Sequence, residues 1–155
     1  MGFAKYYFSA KDTDPPSLTA FCTRQVRFEE VDMLRIVWHG RYVSFFDEGR
    51  EAFGRKYGLS YADFQAARVA APIVQLKIDY QAPLRYGEVM NIETTLYWCE
   101  ALRLNFAYRI TGPDDRLVAR GCTVQLCTDL EGRMLVLEPD FVKDFRQRWQ
   151  AGELR

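Results

Sequence analysis

A chain of 155 residues falls within the usual length of one domain, and 48% hydrophobic with 15% aromatic content is ample for a packed core. Twenty-one basic residues balance twenty-one acidic ones, so no global field draws the protein to nucleic acid or anionic lipid, and a small or locally charged ligand is expected instead. The four cysteines, Cys22, Cys99, Cys122 and Cys127, form no CxxC pair, and the only histidine, His39, is distant from them in sequence, which argues against a zinc site or any other metal.

No stretch is long and apolar enough to span a bilayer, and none reads as an export signal, so a cytoplasmic protein without a membrane partner is expected. In a reducing compartment the cysteines read as small core hydrophobes.

Residues 1–19, ending in Asp12-Thr-Asp-Pro-Pro-Ser17, are rich in turn formers and read as an arm. Residues 20–155 read as one domain. A first strand is expected from Phe21 to Phe28, followed by a loop of mixed character from Glu29 to Trp38. From Tyr42 to Tyr57, Tyr42, Phe45, Phe46, Gly49, Phe53 and Tyr57 recur at three- and four-residue steps, which predicts an amphipathic helix. Gly49 and Gly54 each cost about 1 kcal/mol of helix propensity, so they predict a helix backbone held close to another surface.

Thereafter the period drops to two. Val74, Leu76, Ile78 and Tyr80 share one face of a strand, as do Leu102, Leu104, Phe106, Tyr108 and Ile110. Val89–Trp98 and Leu117–Thr128 complete four strands, whose short connections suit antiparallel neighbours. A last helix is expected after Pro139, with Phe141, Val142, Phe145 and Trp149 as its apolar stripe. This is an α+β plan, a sheet packed on one long helix.

Three strings now carry a resemblance. Val26-Arg-Phe-Glu-Glu-Val-Asp32-Met-Leu-Arg35-Ile-Val-Trp-His39-Gly-Arg-Tyr42 has an acid, then Ile-Val, then a tyrosine opening the helix; Ile78-Asp-Tyr-Gln-Ala-Pro-Leu-Arg85-Tyr-Gly-Glu88 is a strand-turn-strand; Leu117 to Arg133 is a final hairpin. In this order they resemble the 4-hydroxybenzoyl-CoA thioesterase family of hot-dog proteins. The resemblance implies a sheet wrapped around the central helix, sheets joined edge to edge in a homodimer or homotetramer, and active sites at the subunit interface. It implies hydrolysis of an acyl-CoA or acyl-carrier-protein thioester without a cofactor.

By the same resemblance Asp32 is the catalytic carboxylate, as nucleophile or general base, and His39 offers its amide to the oxyanion at the start of the helix. The side chain of His39 is a second candidate for hydrogen bonding or proton donation. Arg35 stands where the family has glycine, a residue suited to backbone conformations that others reach at a cost. That departure predicts either an altered loop or a guanidinium gained for a substrate phosphate or carboxylate.

Arg85, and also Arg41 and Arg103, are candidates for coenzyme A phosphates, whereas Tyr42, Phe45 and Phe46 either line an acyl tunnel or belong to the core. Asp47 and Arg50 read as an exposed helix pair. Two other functions fit the same residues: an enoyl-thioester hydratase or dehydratase using Asp32 and His39, and a non-catalytic acyl-thioester-binding protein.

Overall fold

The computed structural model describes residues 7–155. Five strands form one antiparallel sheet in the order β1-β3-β4-β5-β2, made of β1 (Leu18–Gln25), β2 (Ile73–Tyr80), β3 (Val89–Tyr97), β4 (Arg103–Thr111) and β5 (Leu117–Leu126). The helices that matter for the site, among the described residues, are α1 (Tyr42–Tyr57), α2 (Tyr61–Ala66) and α3 (Asp140–Gln150). The sheet curls around α1 in the hot-dog arrangement.

Helix α1 begins and ends where its periodicity ends, and Gly58 closes it in the left-handed conformation at φ +82°. The expectation for its glycines is met: a Cβ on Gly49 would overlap Thr94 and Ile92 of β3, and one on Gly54 would overlap the backbone of Leu59 and Ser60. Phe46 lies flat on Tyr108 with ring centres 4.3 Å apart, and Phe53 meets Phe106 edge-on at 5.1 Å. The Tyr108 hydroxyl, sealed in this core, is satisfied by Thr123 at 2.8 Å. Burial pushes its pKa up to about 12.

Three expectations need correction. The first strand is Leu18–Gln25, not Phe21–Phe28. Its register runs from Leu18 opposite Leu96 to Gln25 opposite Val89, and beyond Val26 the chain is claimed by a 3-10 turn, Phe28–Glu30. Helix α2 was not foreseen, although Ser60-Tyr-Ala-Asp63 carries a capping box: the Asp63 N–H donates to the Ser60 hydroxyl at 3.2 Å, and the Ser60 N–H to the Asp63 carboxylate at 2.8 Å. Of the cysteines only Cys127 is fully buried; Cys22, Cys99 and Cys122 are half-exposed.

Strand β2 forms one edge of the sheet and pairs only with β5 among the described residues. Leu76, Ile78 and Tyr80 share its helix-facing side, while a register shift between Ile73 and Gln75 takes Val74 out of the alternation. Ile73, Val74, Leu76 and Tyr80 are nonetheless exposed. The described part of the arm is tied down: the Trp149 indole N–H donates to the Pro16 carbonyl at 2.7 Å, and the Tyr7 hydroxyl to Asp79 at 2.6 Å.

Candidate active site

The chain from Val26 to Trp38 is a loop closed at its root by Glu30. The Glu30 carboxylate accepts from the Arg27 N–H at 2.8 Å, and its carbonyl from the Trp38 N–H at 2.9 Å. Arg24 of β1 faces the same carboxylate at 2.6 Å, with only 9% and 8% of the two side chains exposed. Arg24 also lies over the Phe45 ring at 4.7 Å and reaches Glu48 at 3.2 Å. One buried ion pair thus ties the loop to both β1 and α1.

Within the loop, Val31 and Val37 form a bridge and enclose a tight turn. The Asp32 N–H donates to the Ile36 carbonyl, and the Arg35 N–H to the Asp32 carbonyl, both at 2.9 Å. The Asp32 carboxylate accepts the Leu34 N–H through Oδ1 at 2.8 Å, an Asx turn that fixes the side chain. Oδ2 has no protein partner among the described residues. Arg35 sits at φ +62°, the left-handed region that favours glycine. The turn keeps the glycine-type backbone even though an arginine occupies it.

The loop then feeds α1. A 3-10 turn, His39–Arg41, precedes Tyr42, and amides at such a start lack internal acceptors. The Tyr80 hydroxyl donates to the His39 carbonyl at 2.7 Å, and its ring meets Tyr42 edge-on at 5.1 Å. Arg85 is placed beside the turn by its bridge to Ile36. Asp32, Arg35, Arg85, His39 and Tyr42 are therefore gathered where the far end of β2 meets the start of α1.

Phe46 is not among them. It is buried one helical turn further on, in the stack with Tyr108, and Tyr42 is buried as well. Two contributors were missed by sequence reasoning. Tyr80 reads only as a strand residue, since its hydroxyl contact spans 41 positions. Glu30 reads as one more charge in a mixed loop, although an acid two residues before Asp32 with Arg24 six behind was a visible pairing.

A cavity of about 770 Å³ lies elsewhere, between α1, α2 and the β4–β5 hairpin. Arg50, Leu59, Phe64, Ala71, Phe106 and Gln125 line it, and none of Asp32, His39, Arg35, Tyr42, Phe46 or Arg85 does. Asp47 and Arg50 are paired at 2.6 Å on its wall. Among the described residues no cluster of His, Cys, Asp and Glu is built to hold a metal, and no helix is long and apolar enough to cross a membrane.

Residues 26–147 match the thioesterase-like superfamily. The chain is 30% identical to the putative acyl-CoA thioesterase YneP of Bacillus subtilis over 69% of this chain and 78% of that protein. It is 27% identical to the acyl-CoA thioester hydrolase YbgC of Escherichia coli, over 79% and 92% of the respective chains. The solved DHNA-CoA thioesterase of Staphylococcus aureus shares the fold with a TM-score of 0.79 at 23% identity, covering 88% of this chain and 91% of that one.

Proposed function

Because the chain belongs to the thioesterase-like superfamily and is a thioester hydrolase, we propose that it cleaves acyl-CoA thioesters with Asp32 as the catalytic carboxylate. The observation that carries this is the turn holding Asp32: Oδ1 is pinned by the Leu34 N–H while the second oxygen is left to act. Such an oxygen attacks the thioester carbonyl, giving an enzyme-bound anhydride and thiolate, or takes a proton from the attacking water. The His39 amide, at the head of the turn into α1, meets the developing oxyanion.

The His39 side chain, exposed beside that amide, is a proton donor to the leaving thiolate. Within the superfamily we assign the chain to the 4-hydroxybenzoyl-CoA thioesterase family, a reading supported by the Asp32 string and the two strand strings. Arg35 and Arg85 serve the anionic part of the substrate, whereas Tyr42 and Phe46 are core residues, sealed from the substrate.

The active unit is a homodimer or homotetramer joined through β2. This is supported by the open β2 edge with its exposed apolar side chains. An antiparallel two-fold pairing of β2 sets the Ile73 end of one strand against the Tyr80 end of its partner's. The cavity opens beside Ala70, Ala71 and Pro72, which lead into Ile73; Asp32 and His39 lie by Tyr80. Each cavity thereby faces the partner's Asp32 loop, so one protomer holds the acyl group and the other attacks it. Of the expected arm 1–19, Leu18 and Thr19 belong to β1; the residues before them act as an arm outside the single catalytic domain, and four unpaired thiols support a cytoplasmic location.

The test is thiol release from a panel of acyl-CoAs, short, long and benzoyl-type, by wild type and Asp32→Asn. A fall in kcat on the order of 10²–10⁴-fold with an unchanged Tm is expected; retained turnover in the variant removes Asp32 from the mechanism. Single-turnover hydrolysis in ¹⁸O-water separates the two roles, since label in the Asp32 carboxylate requires the anhydride.

A further inference from the structure

Two aromatic rings stand outside the protein beside the Asp32 loop. Phe28 is 77% exposed and Tyr86 62% exposed, and they touch edge to face with centres 5.9 Å apart. Single exposed apolar side chains are ordinary, but two aromatic rings paired in solvent form a patch. Each is directly preceded by an exposed arginine, Arg27 and Arg85.

The arginines nearby differ in what they are bound to. Arg24 is held by Glu30 and Glu48, and Arg116 by Glu88. Arg27 and Arg85 have no side-chain hydrogen bond or ion pair among the described residues. On a chain of zero net charge, the two uncommitted guanidinium groups thus flank the two exposed rings. A groove of about 500 Å³ runs alongside, between Arg24, Arg27, Phe28, Glu48 and Tyr86. Its one acid, Glu48, is already matched by Arg24.

A flat ring surface bordered by free guanidinium groups fits a purine nucleotide with several phosphates: the base stacks on the rings, and the arginines meet the phosphates. We propose that Phe28, Tyr86, Arg27 and Arg85 form the seat of the adenosine 3′-phosphate 5′-diphosphate end of coenzyme A. This rests on the thioesterase reading and deepens it, because it selects coenzyme A over a carrier protein, which has no nucleotide to place there. The bridge between Arg85 and Ile36 sets this seat next to the turn that carries Asp32. The pantetheine arm runs from one to the other along the loop.

The experiment measures binding of adenosine 3′,5′-bisphosphate by calorimetry, and compares kcat/KM for one acyl group on coenzyme A and on pantetheine. Wild type is expected to bind the nucleotide and to favour the coenzyme A thioester. Phe28→Ser and Arg27→Gln are each expected to weaken nucleotide binding about tenfold or more, and to move the two kcat/KM values toward each other through KM. Added salt erodes the arginine contribution first.

Absent or variant-independent nucleotide binding overturns the proposal, as does equal use of the two thioesters by wild type. Loss of an oligomer in Phe28→Ser, read by sedimentation, with nucleotide binding intact makes the rings a contact between copies and also overturns it. If the nucleotide binds and the variants lose it while wild type releases no thiol from any thioester, the seat stands and the hydrolysis reading fails.

Discussion

The contact of α1 with the sheet and the loop from Val26 to Trp38 are held by different forces. Under α1, Phe45, Phe53, Met90, Ile92, Tyr108 and Ile110 are fully buried, and the stabilisation is removal of apolar surface from water, non-directional and shared among many contacts. In the loop only Val26, Glu30 and Val37 are buried. There the shape depends on a few directional bonds: the Arg24–Glu30 pair, the Trp38 N–H to Glu30 bond and the Asx turn of Asp32. The first region therefore governs whether the chain folds, and the second governs where one carboxylate points.

The sharpest test of that division is Phe53→Ala, which empties the contact with Phe106 and Tyr57. A loss of about 3–5 kcal/mol in denaturant unfolding is expected, with thiol release retained wherever the protein stays folded. A fall in activity without a fall in stability would dissolve the distinction.

Glu30→Gln strikes the loop's root instead. Breaking a buried ion pair costs about 3–5 kcal/mol, and the lower figure is expected because Glu48 still faces Arg24. Activity should drop further than the lost stability accounts for, as the Asp32 turn loses its anchor, with kcat falling more than KM rises.

Tyr108 separates the regions by pH. Burial raises its folded pKa from 10.0 to about 12, so unfolding releases a proton that the folded state retains. Its contribution is complete below pH about 10 and is lost as pH rises toward 12, by about 1.4 kcal/mol per unit. Tyr108→Phe should flatten that slope in alkaline denaturation without altering the loop.

Arg35→Gly has the smallest expected effect and two opposite signs. Relief of the left-handed conformation at φ +62° should stabilise the fold by about 1 kcal/mol. Loss of the guanidinium should raise KM for a coenzyme A thioester if it meets the substrate. A rise in Tm with unchanged KM would leave Arg35 a role in the turn alone.

Helix α1 was legible to its end residues because its apolar stripe and its glycines agree on one answer, and the left-handed Gly58 found in the structure ends it at the same place. The first strand was misplaced by three residues: Phe21 and Phe28 look like core but are exposed, and register with β3, a long-range choice, decides which side chains turn inward. The loop positions of Asp32 and His39 were legible as a string of residue types. Tyr80 was not, because it reaches His39 across 41 positions, and the Arg24–Glu30 pairing, visible at six positions' spacing, shows as a buried clasp only in the fold.

By itself the sequence determined the α+β plan, the central helix and the strand set, since these follow from periodicity and local chemistry, while Asp32 as the candidate carboxylate was what the resemblance of its string to a known family implied. The tertiary structure alone decided that Arg35 accepts a glycine's backbone, that Phe46 stacks in the core, that β2 is an edge strand among the described residues with apolar side chains exposed, and that two arginine-flanked rings stand beside the Asp32 turn. Each of those depends on contacts between residues distant in the chain, and a hydrogen bond or ring contact has no periodicity by which a sequence could reveal it.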